Sequence, residues 1–167
     1  AQVVVKDIDE ESAERVAREI SEAGCIAIAR RQDVCEEAGW DQLVDVIIDT
    51  WGKLDVLVNN AGIVIQGTVE EATLEDWRKI QAVNMEGVFM GCRAAIRVMK
   101  EKGGSIVNLS SIQGMIGEPR TAANNASKDG VRIFTKTAPL QCAAQGYGIR
   151  INSVHPGYIL TQIVADA

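Results

Sequence analysis

Residues 105–128, SIVNLSSIQGMIGEPRTAANNASK, contain the pattern on which the fold assignment rests. The apolar residues of 106–109 predict a short β-strand, and Ser110 and Ser111 follow at its carboxyl end. Ligands bind at the carboxyl ends of strands in open α/β sheets, so a hydroxyl at this edge is well placed to meet one. An isolated serine pair more often caps or turns the chain. A functional interpretation therefore depends on the motifs around it.

Predicted strands and helices alternate along the chain, which indicates a parallel sheet with helices on both faces. The predicted strands are 3–5, 25–29, 53–58, 106–109 and 149–154. The predicted helices are 10–23, 36–51, 77–99 and 122–145. The strand at 53–58 is apolar on both faces, which is typical of a strand inside a parallel sheet. We therefore predict an α/β fold with a doubly wound parallel sheet.

Two details of the helices stand out. Thr73 and Asp76 predict a shortened capping box ahead of the helix at 77–99. Pro139 lies inside the helix predicted at 122–145. Proline removes a backbone hydrogen bond there and clashes with the preceding turn, which costs roughly 3 kcal/mol or kinks the helix.

Length and composition predict one domain, residues 1–167, with enough apolar residues (47%) for a core. The net charge is −6 and the basic residues are scattered, which argues against a nucleic-acid partner. The longest apolar runs are too short to cross a bilayer, and no signal peptide opens the chain. We therefore expect a cytoplasmic protein with no membrane partner.

Cysteine and histidine usage argues against a metal site. The four cysteines are widely separated, without a Cys-x-x-Cys pair, and His155 is the single histidine. Zinc and iron–sulfur sites need a denser set of ligands, so we expect no metal. A disulfide framework suits smaller secreted proteins, so the thiols are expected to be buried or idle.

Four further motifs, at other places along the chain, accompany the serines. They are Asn59-Asn60-Ala61-Gly62, Asn84, Asn125-Ala126-Ser127-Lys128 and Pro156-Gly157. Together with Ser111, they resemble the short-chain dehydrogenase/reductase family of nicotinamide oxidoreductases over the whole length of the chain. The resemblance implies a Rossmann-like fold and hydride transfer between a nicotinamide cofactor and a secondary alcohol or ketone.

The resemblance also assigns the proton-transfer site. In the family a serine holds the substrate oxygen, a tyrosine four residues before a lysine moves the hydroxyl proton, the lysine lowers the tyrosine pKa, and an upstream asparagine anchors a relay water. These places fall on Ser111, Asn124, Lys128 and Asn84. Asn124 stands where the family has tyrosine. An amide has no proton to exchange near neutral pH, so we expect crippled activity.

The missing phenol leaves two functions open. Tyr147 and Tyr158 lie beyond the helix and outside the four-residue spacing, so neither replaces it. The protein is either an oxidoreductase with a damaged proton-transfer site or a non-catalytic nucleotide-binding or oligomer-scaffold protein. Asn124 and Pro139 favour the second of these.

The resemblance implies NAD as the cofactor. An acidic side chain at the end of the second strand of a dinucleotide fold binds the adenosine ribose and repels the extra phosphate of NADP, and Asp7 occupies such a place. Asp7 could instead start the following helix, although Asp9 and Ser12 compete for that position. Asp33 and Val34 are expected beside the adenine, and Ile159 and Thr161 over the nicotinamide. The other implied cofactor contacts are Ile8, Asn60, Ala61, Gly62, Lys128, Pro156 and Gly157.

The family comparison further implies an incomplete sheet. In the strand order 3-2-1-4-5-6 the first strand lies at the centre, and this chain begins at what resembles the second. We therefore expect a partial dinucleotide-binding domain, incomplete at both ends, with a strand missing between 3–5 and 54–58. By the same resemblance, the helices at 77–99 and 122–145 are expected to form a homodimer or homotetramer with partner subunits.

Overall fold

The computed structural model describes residues 1–159 and confirms the parallel α/β architecture. The strands in that range are β1 (Gln2–Asp7), β2 (Ile26–Arg31), β3 (Val56–Asn59), β4 (Gly104–Leu109) and β5 (Ile149–Val154). The α-helices are α1 (Glu10–Glu22), α2 (Glu37–Trp51), α3 (Leu74–Gln81), α4 (Gly87–Met99) and α5 (Ala122–Ala144). Within residues 1–159, no helix has the length and hydrophobicity that a membrane span requires.

The strands form two parallel sheets separated by a cleft. β1 pairs with β2, from Gln2 opposite Ile26 to Asp7 opposite Arg31. β3, β4 and β5 pair in that order. Residues of β1 and β3 line opposite sides of the cleft, whose volume is about 810 Å³. Among the described residues no strand pairs with the cleft-facing edge of either, so β3 lies at a sheet edge.

Helix α2 connects the two sheets through side-chain packing. Trp40 and Ile47 are buried against Met90 and Ala94 of α4, and Val4 of β1 packs against the same cluster. Gly91 of α4 permits this approach, because a Cβ atom there would lie 2.7 Å from Cη2 of the Trp40 ring. The second apolar core lies between α4, α5 and the three-stranded sheet.

The helix predicted continuously over 77–99 is divided in the structure. α3 and α4 are joined by a π-helical turn, Ala82–Glu86, which contains one more residue per turn than an α-helix. The extra residue changes the direction of the following side chains, and Asn84 within the turn is completely buried. The cap of α3 is confirmed: Asp76 N donates to Thr73 Oγ1 at 3.0 Å, and the Thr73 hydroxyl donates to Asp76 Oδ2 at 2.6 Å.

Helix α5 is continuous across Pro139 from Ala122 to Ala144. The proline therefore does not end the helix, and the break that its missing N–H could cause does not occur. Asn124 and Lys128 lie in the first two turns, well ahead of it, and are both buried.

Candidate active site

Residues of the candidate site lie at the carboxyl ends of parallel strands, as predicted. Asn60 follows β3, Ser111 follows β4, and His155 follows β5. The last two ends are held together by the backbone: Ser110 N donates to Val154 O and Ile112 N donates to Pro156 O, both at 2.9 Å. The structure therefore brings the predicted serine beside the predicted Pro-Gly turn.

Asn124, which stands in the place of the family's tyrosine, forms hydrogen bonds through both Nδ2 and Oδ1. Its Nδ2 donates to Oε1 of Gln113, and its Oδ1 accepts from Nδ2 of Asn84 at 3.2 Å. Only 2% of the residue is exposed. The three amides thus form a chain of hydrogen bonds that connects the loop after β4, the start of α5 and the π-helical turn.

Asn84 is tied to the protein through both atoms of its amide. Its Oδ1 accepts from Ile63 N at 2.8 Å, and its Nδ2 lies 3.0 Å from Ile63 O, 3.2 Å from Asn124 Oδ1 and 3.1 Å from Ser127 Oγ. Two amide hydrogens thus serve three acceptors. The side chain joins the loop after β3 to α5 across the site.

Lys128 lies one helical turn beyond Asn124 and points its amine into the site. Nζ donates to Leu109 O at 2.9 Å, which leaves two ammonium hydrogens for other acceptors. Burial lowers the pKa of Lys128 from its ordinary value of 10.5 to about 8. Gly62 lies close to the amine, because a Cβ atom on that residue would be in van der Waals contact with Nζ at 3.4 Å.

Ser111 is held in place through its backbone and its side-chain oxygen. Oγ accepts from Gln113 N at 3.1 Å, and the Ser111 carbonyl lies 3.2 Å from Nδ1 of His155. Oγ of Ser153 lies 2.9 Å from the other ring nitrogen of His155. If the Ser153 hydroxyl donates to Nε2, Nδ1 carries the proton and donates to Ser111. The hydroxyl hydrogen of Ser111 stays available for a ligand.

The residues expected at the adenosine end lie at the ends of β1 and β2. Asp7 is exposed, and its Oδ1 accepts from Asp9 N at 3.0 Å, whereas its Oδ2 has no hydrogen-bond partner among the described residues. Asp9 precedes α1 directly, so the helix start belongs to Asp9. Ile8 is exposed beside Asp7. Oδ1 of Asp33 accepts from Cys35 N at 2.9 Å and closes a turn, the alternative that a loop aspartate often adopts.

Residues at the carboxyl ends of the two sheets lie close together. Val34, Asn60 and Ala61 line one small cavity together with Lys6. Asn60 and Ala61 are themselves exposed to solvent. These positions expected to bind cofactor are thus neighbours, although they belong to different sheets. Gly157 and Ile159 are exposed after β5, and Thr161 lies outside the described residues.

The first asparagine of the Asn-Asn-Ala-Gly motif joins neighbouring strands. Nδ2 of Asn59 donates to Oδ1 of Asn108 on β4 at 2.9 Å, and Nδ2 of Asn108 donates to Oγ1 of Thr135 on α5 at 3.0 Å. All three residues are buried. The Asn59 amide thus ties two neighbouring strands together through its donor, and Asn108 extends the connection to α5.

Three residues near the site were not identified from the sequence. Gln113 contacts Asn124, and His155 contacts Ser111. Nζ of Lys6 is buried and has no hydrogen-bond partner among the described residues. The position of Gln113, two residues after Ser111, was a usable signal. The place of Lys6 beside Asp7 weakens the expected preference for NAD, but nothing in the local pattern predicts that its amine is buried.

The site includes no cluster suited to a metal. Among residues 1–159, no group of three or more His, Cys, Asp or Glu side chains is arranged to hold a metal ion.

Comparison with known proteins identifies the family. The family model for short chain dehydrogenases matches residues 1–167. The chain is 44% identical over 168 residues to an NADP-dependent (R)-specific alcohol dehydrogenase of Lentilactobacillus kefiri, covering 99% of this chain and 66% of that protein. It is 40% identical over 164 residues to a 3-beta-hydroxysteroid dehydrogenase of Comamonas testosteroni, covering 98% and 63%. It is 42% identical over 171 residues to a cyclopentanol dehydrogenase of a Comamonas species, covering 100% and 68%. The chain thus spans about two thirds of the length of these relatives, and it belongs to the short-chain dehydrogenase family.

Proposed function

We propose that the protein is an NAD(H)-dependent oxidoreductase that interconverts a secondary alcohol and a ketone, with activity crippled by Asn124. The observation that supports this is the set of residues around position 124, which is also linked through Gln113 to the turn that carries Ser111. Asn124 contacts Asn84 directly, and Lys128 lies one turn further along the same helix. These are the neighbours that a proton-transferring phenol would need.

Each side chain has a role that its environment supports. The free hydroxyl hydrogen of Ser111 would donate to the substrate oxygen. The two remaining ammonium hydrogens of Lys128 would bind hydroxyls of the cofactor ribose. NAD, when bound, supplies the site that accepts or returns the hydride. Asn124 has no proton to exchange, and a positioned acid or base is worth roughly 10² to 10⁴ in rate.

The residues at the strand ends fit the adenosine part of a dinucleotide. Ala61 and Gly62 have little or no side chain, so the backbone can approach a ligand closely. The free carboxylate oxygen of Asp7 would accept hydrogen bonds from the ribose and repel the phosphate of NADP. The L. kefiri relative is named as NADP-dependent, so cofactor preference would differ between the two. The remaining contacts proposed are Ile8, Asp33, Val34, Asn60, Pro156, Gly157, Ile159 and Thr161.

Calorimetric titration of the full-length protein with NADH and NADPH tests this assignment. We expect NADH to bind more tightly, and Asp7→Ala to erode the difference. Glu10→Ala, an acidic-to-alanine change at the exposed start of α1, is the matched control and should leave the difference intact. Tighter binding of NADPH by the unaltered protein would contradict the proposal.

A non-catalytic nucleotide-binding or scaffold protein is the second candidate. The hydrogen bonds of Asn124 to Gln113 and Asn84 favour it, because they give the asparagine a structural role that a tyrosine would not fill. A turnover assay on a broad panel of secondary alcohols and ketones separates the two functions. Slow but measurable NAD-dependent turnover supports the enzyme, and tight NADH binding without turnover supports the scaffold.

We further propose that residues 1–167 form one partial dinucleotide-binding domain of a cytoplasmic homodimer or homotetramer. The four cysteines are free thiols, as in proteins of a reducing compartment. Exposed apolar side chains on α4 and α5 support association: Phe89 is 46% exposed, Ile133 55% and Leu140 70%. Faces of this kind commonly pack against a symmetric copy.

A further inference from the structure

The carboxamide of Gln113 has a defined orientation in the site. Its Oε1 accepts a hydrogen bond from Nδ2 of Asn124, so its Nε2 must be the end that faces away from Asn124. Among the described residues, no acceptor is bonded to this Nε2. The residue is only partly buried, so this amide donor can meet a ligand that arrives from solvent.

A second donor belongs to the same short turn. The backbone N–H of Gln113 donates to Oγ of Ser111 at 3.1 Å, which leaves the Ser111 hydroxyl hydrogen to donate elsewhere. The contact of the Ser111 carbonyl with His155 holds the backbone of this residue in place. The turn therefore holds one hydroxyl donor and one amide donor two residues apart, each oriented by other contacts.

The surroundings of the turn suit a small neutral molecule. Met115 and Ile116, which follow Gln113 closely in the chain, are 58% and 57% exposed and offer apolar surface. A neutral amide matches a hydroxyl or carbonyl oxygen, whereas carboxylates are typically bound by arginine. No arginine contacts Ser111, Gln113 or Asn124 among the described residues.

We propose that Nε2 of Gln113 binds a second substrate oxygen beside the reacting carbon, so that α-hydroxy ketones and vicinal diols are the preferred class. The inference rests on the proposed function, in which Ser111 binds the first oxygen. A substrate with a single oxygen offers no partner to the Gln113 donor. Sites built to hydrogen-bond a polar group discriminate against analogues that lack it.

Ligand-observed NMR titrations of the full-length protein, with its native Asn124 and saturating NADH, test this class. The probes are 3-hydroxy-2-butanone and 2-butanone, which differ by one hydroxyl on the adjacent carbon. We expect the hydroxy ketone to bind roughly five- to tenfold more tightly, the worth of about one hydrogen bond. The isomer 4-hydroxy-2-butanone, with its hydroxyl one carbon further away, should show a smaller advantage.

Two variants and a control isolate the donor. Gln113→Glu keeps an oxygen for Asn124 and replaces the donor by an acceptor, so the advantage should disappear. Gln113→Met removes both groups at similar length and should also abolish it. Gln141→Glu makes the same change at an exposed position on α5, away from the turn, and should retain the advantage.

The outcomes distinguish this inference from the function on which it rests. Failure of the unaltered protein to bind NADH would overturn the proposed function and the inference with it. Normal NADH binding with equal affinities for the two ketones, or with no detectable binding of either, would overturn the inference alone. So would an advantage that persists in both Gln113 variants.

Discussion

Replacement of Lys6 by methionine is expected to stabilise the 167-residue chain, and most strongly below pH 7. Nζ of Lys6 lies 3.0 Å from the centroid of the Trp40 ring and has no hydrogen-bond partner among the described residues. Burial lowers the pKa of Lys6 from its ordinary value of 10.5 to about 7. Methionine has a similar length and no charge, so it can occupy the same apolar space.

The sign and size of the effect follow from proton binding in the two states. Between about pH 7 and 10.5 the unfolded chain carries a proton on Lys6 and the folded chain does not, so the stability of the unaltered chain rises with pH. Below that window the buried ammonium costs the folded state roughly 3 to 5 kcal/mol. At pH 9 the cost falls to roughly 2 kcal/mol, and above the window it vanishes.

Urea unfolding at pH 6 and pH 9, followed by circular dichroism, measures the difference. We expect Lys6→Met to raise the free energy of unfolding at both values, with the larger gain at pH 6. Lys136→Met, the same change at an exposed position of α5, should have little effect at either pH. The reasoning is refuted if Lys6→Met destabilises the chain at pH 6, or if its gain is the same at both values.

Three other substitutions test the proton-transfer site, the buried hydrogen bonds of Asn108 and the proposed oligomer interface. Asn124→Tyr in the full-length protein should raise kcat/KM on secondary alcohols roughly 10²- to 10⁴-fold, because the lysine one turn further on favours a phenolate, with NADH affinity unchanged. Persistent inertness with intact NADH binding would mean that Asn124 is not the sole defect. Asn108→Ala leaves Asn59 and Thr135 without their buried partner and should cost roughly 3 kcal/mol in urea unfolding; a loss below about 1 kcal/mol would argue against this. Ile133→Glu should lower the mass measured by light scattering, and an unchanged oligomer would exclude this face.

Most of the fold could be predicted from the alternation of strand and helix patterns along the chain. The strand at 149–154 is short, has apolar residues at 149, 151 and 154, and follows Gly148, and these local properties placed it correctly. The parallel order follows because the strands alternate with helices, and carboxyl ends of parallel strands share an edge. The positions of Ser111 and Lys128 could therefore be predicted from their places along the chain.

Other features depend on contacts that no local pattern contains. The π-helical turn inserts a residue without a break in helical composition, so Trp77 to Met99 had the pattern of one helix. Gln113 and Asn124 meet because a loop and a helix start converge in space. Asp33 closes a turn with Cys35, and a sequence pattern does not distinguish that from a ligand contact. The burial of Lys6 arises from its position between Trp40 and the cleft.

Helix α2 carries the side-chain packing between the two sheets on either side of the cleft between β1 and β3. Within residues 1–159 no strand pairing crosses this cleft to join the two halves. Asp7 belongs to one half, and Ser111 with Lys128 to the other. A dinucleotide in contact with both would join the two sheets. Its binding free energy would then depend on their mutual angle, so a change that fixes this angle would alter affinity without touching the ligand.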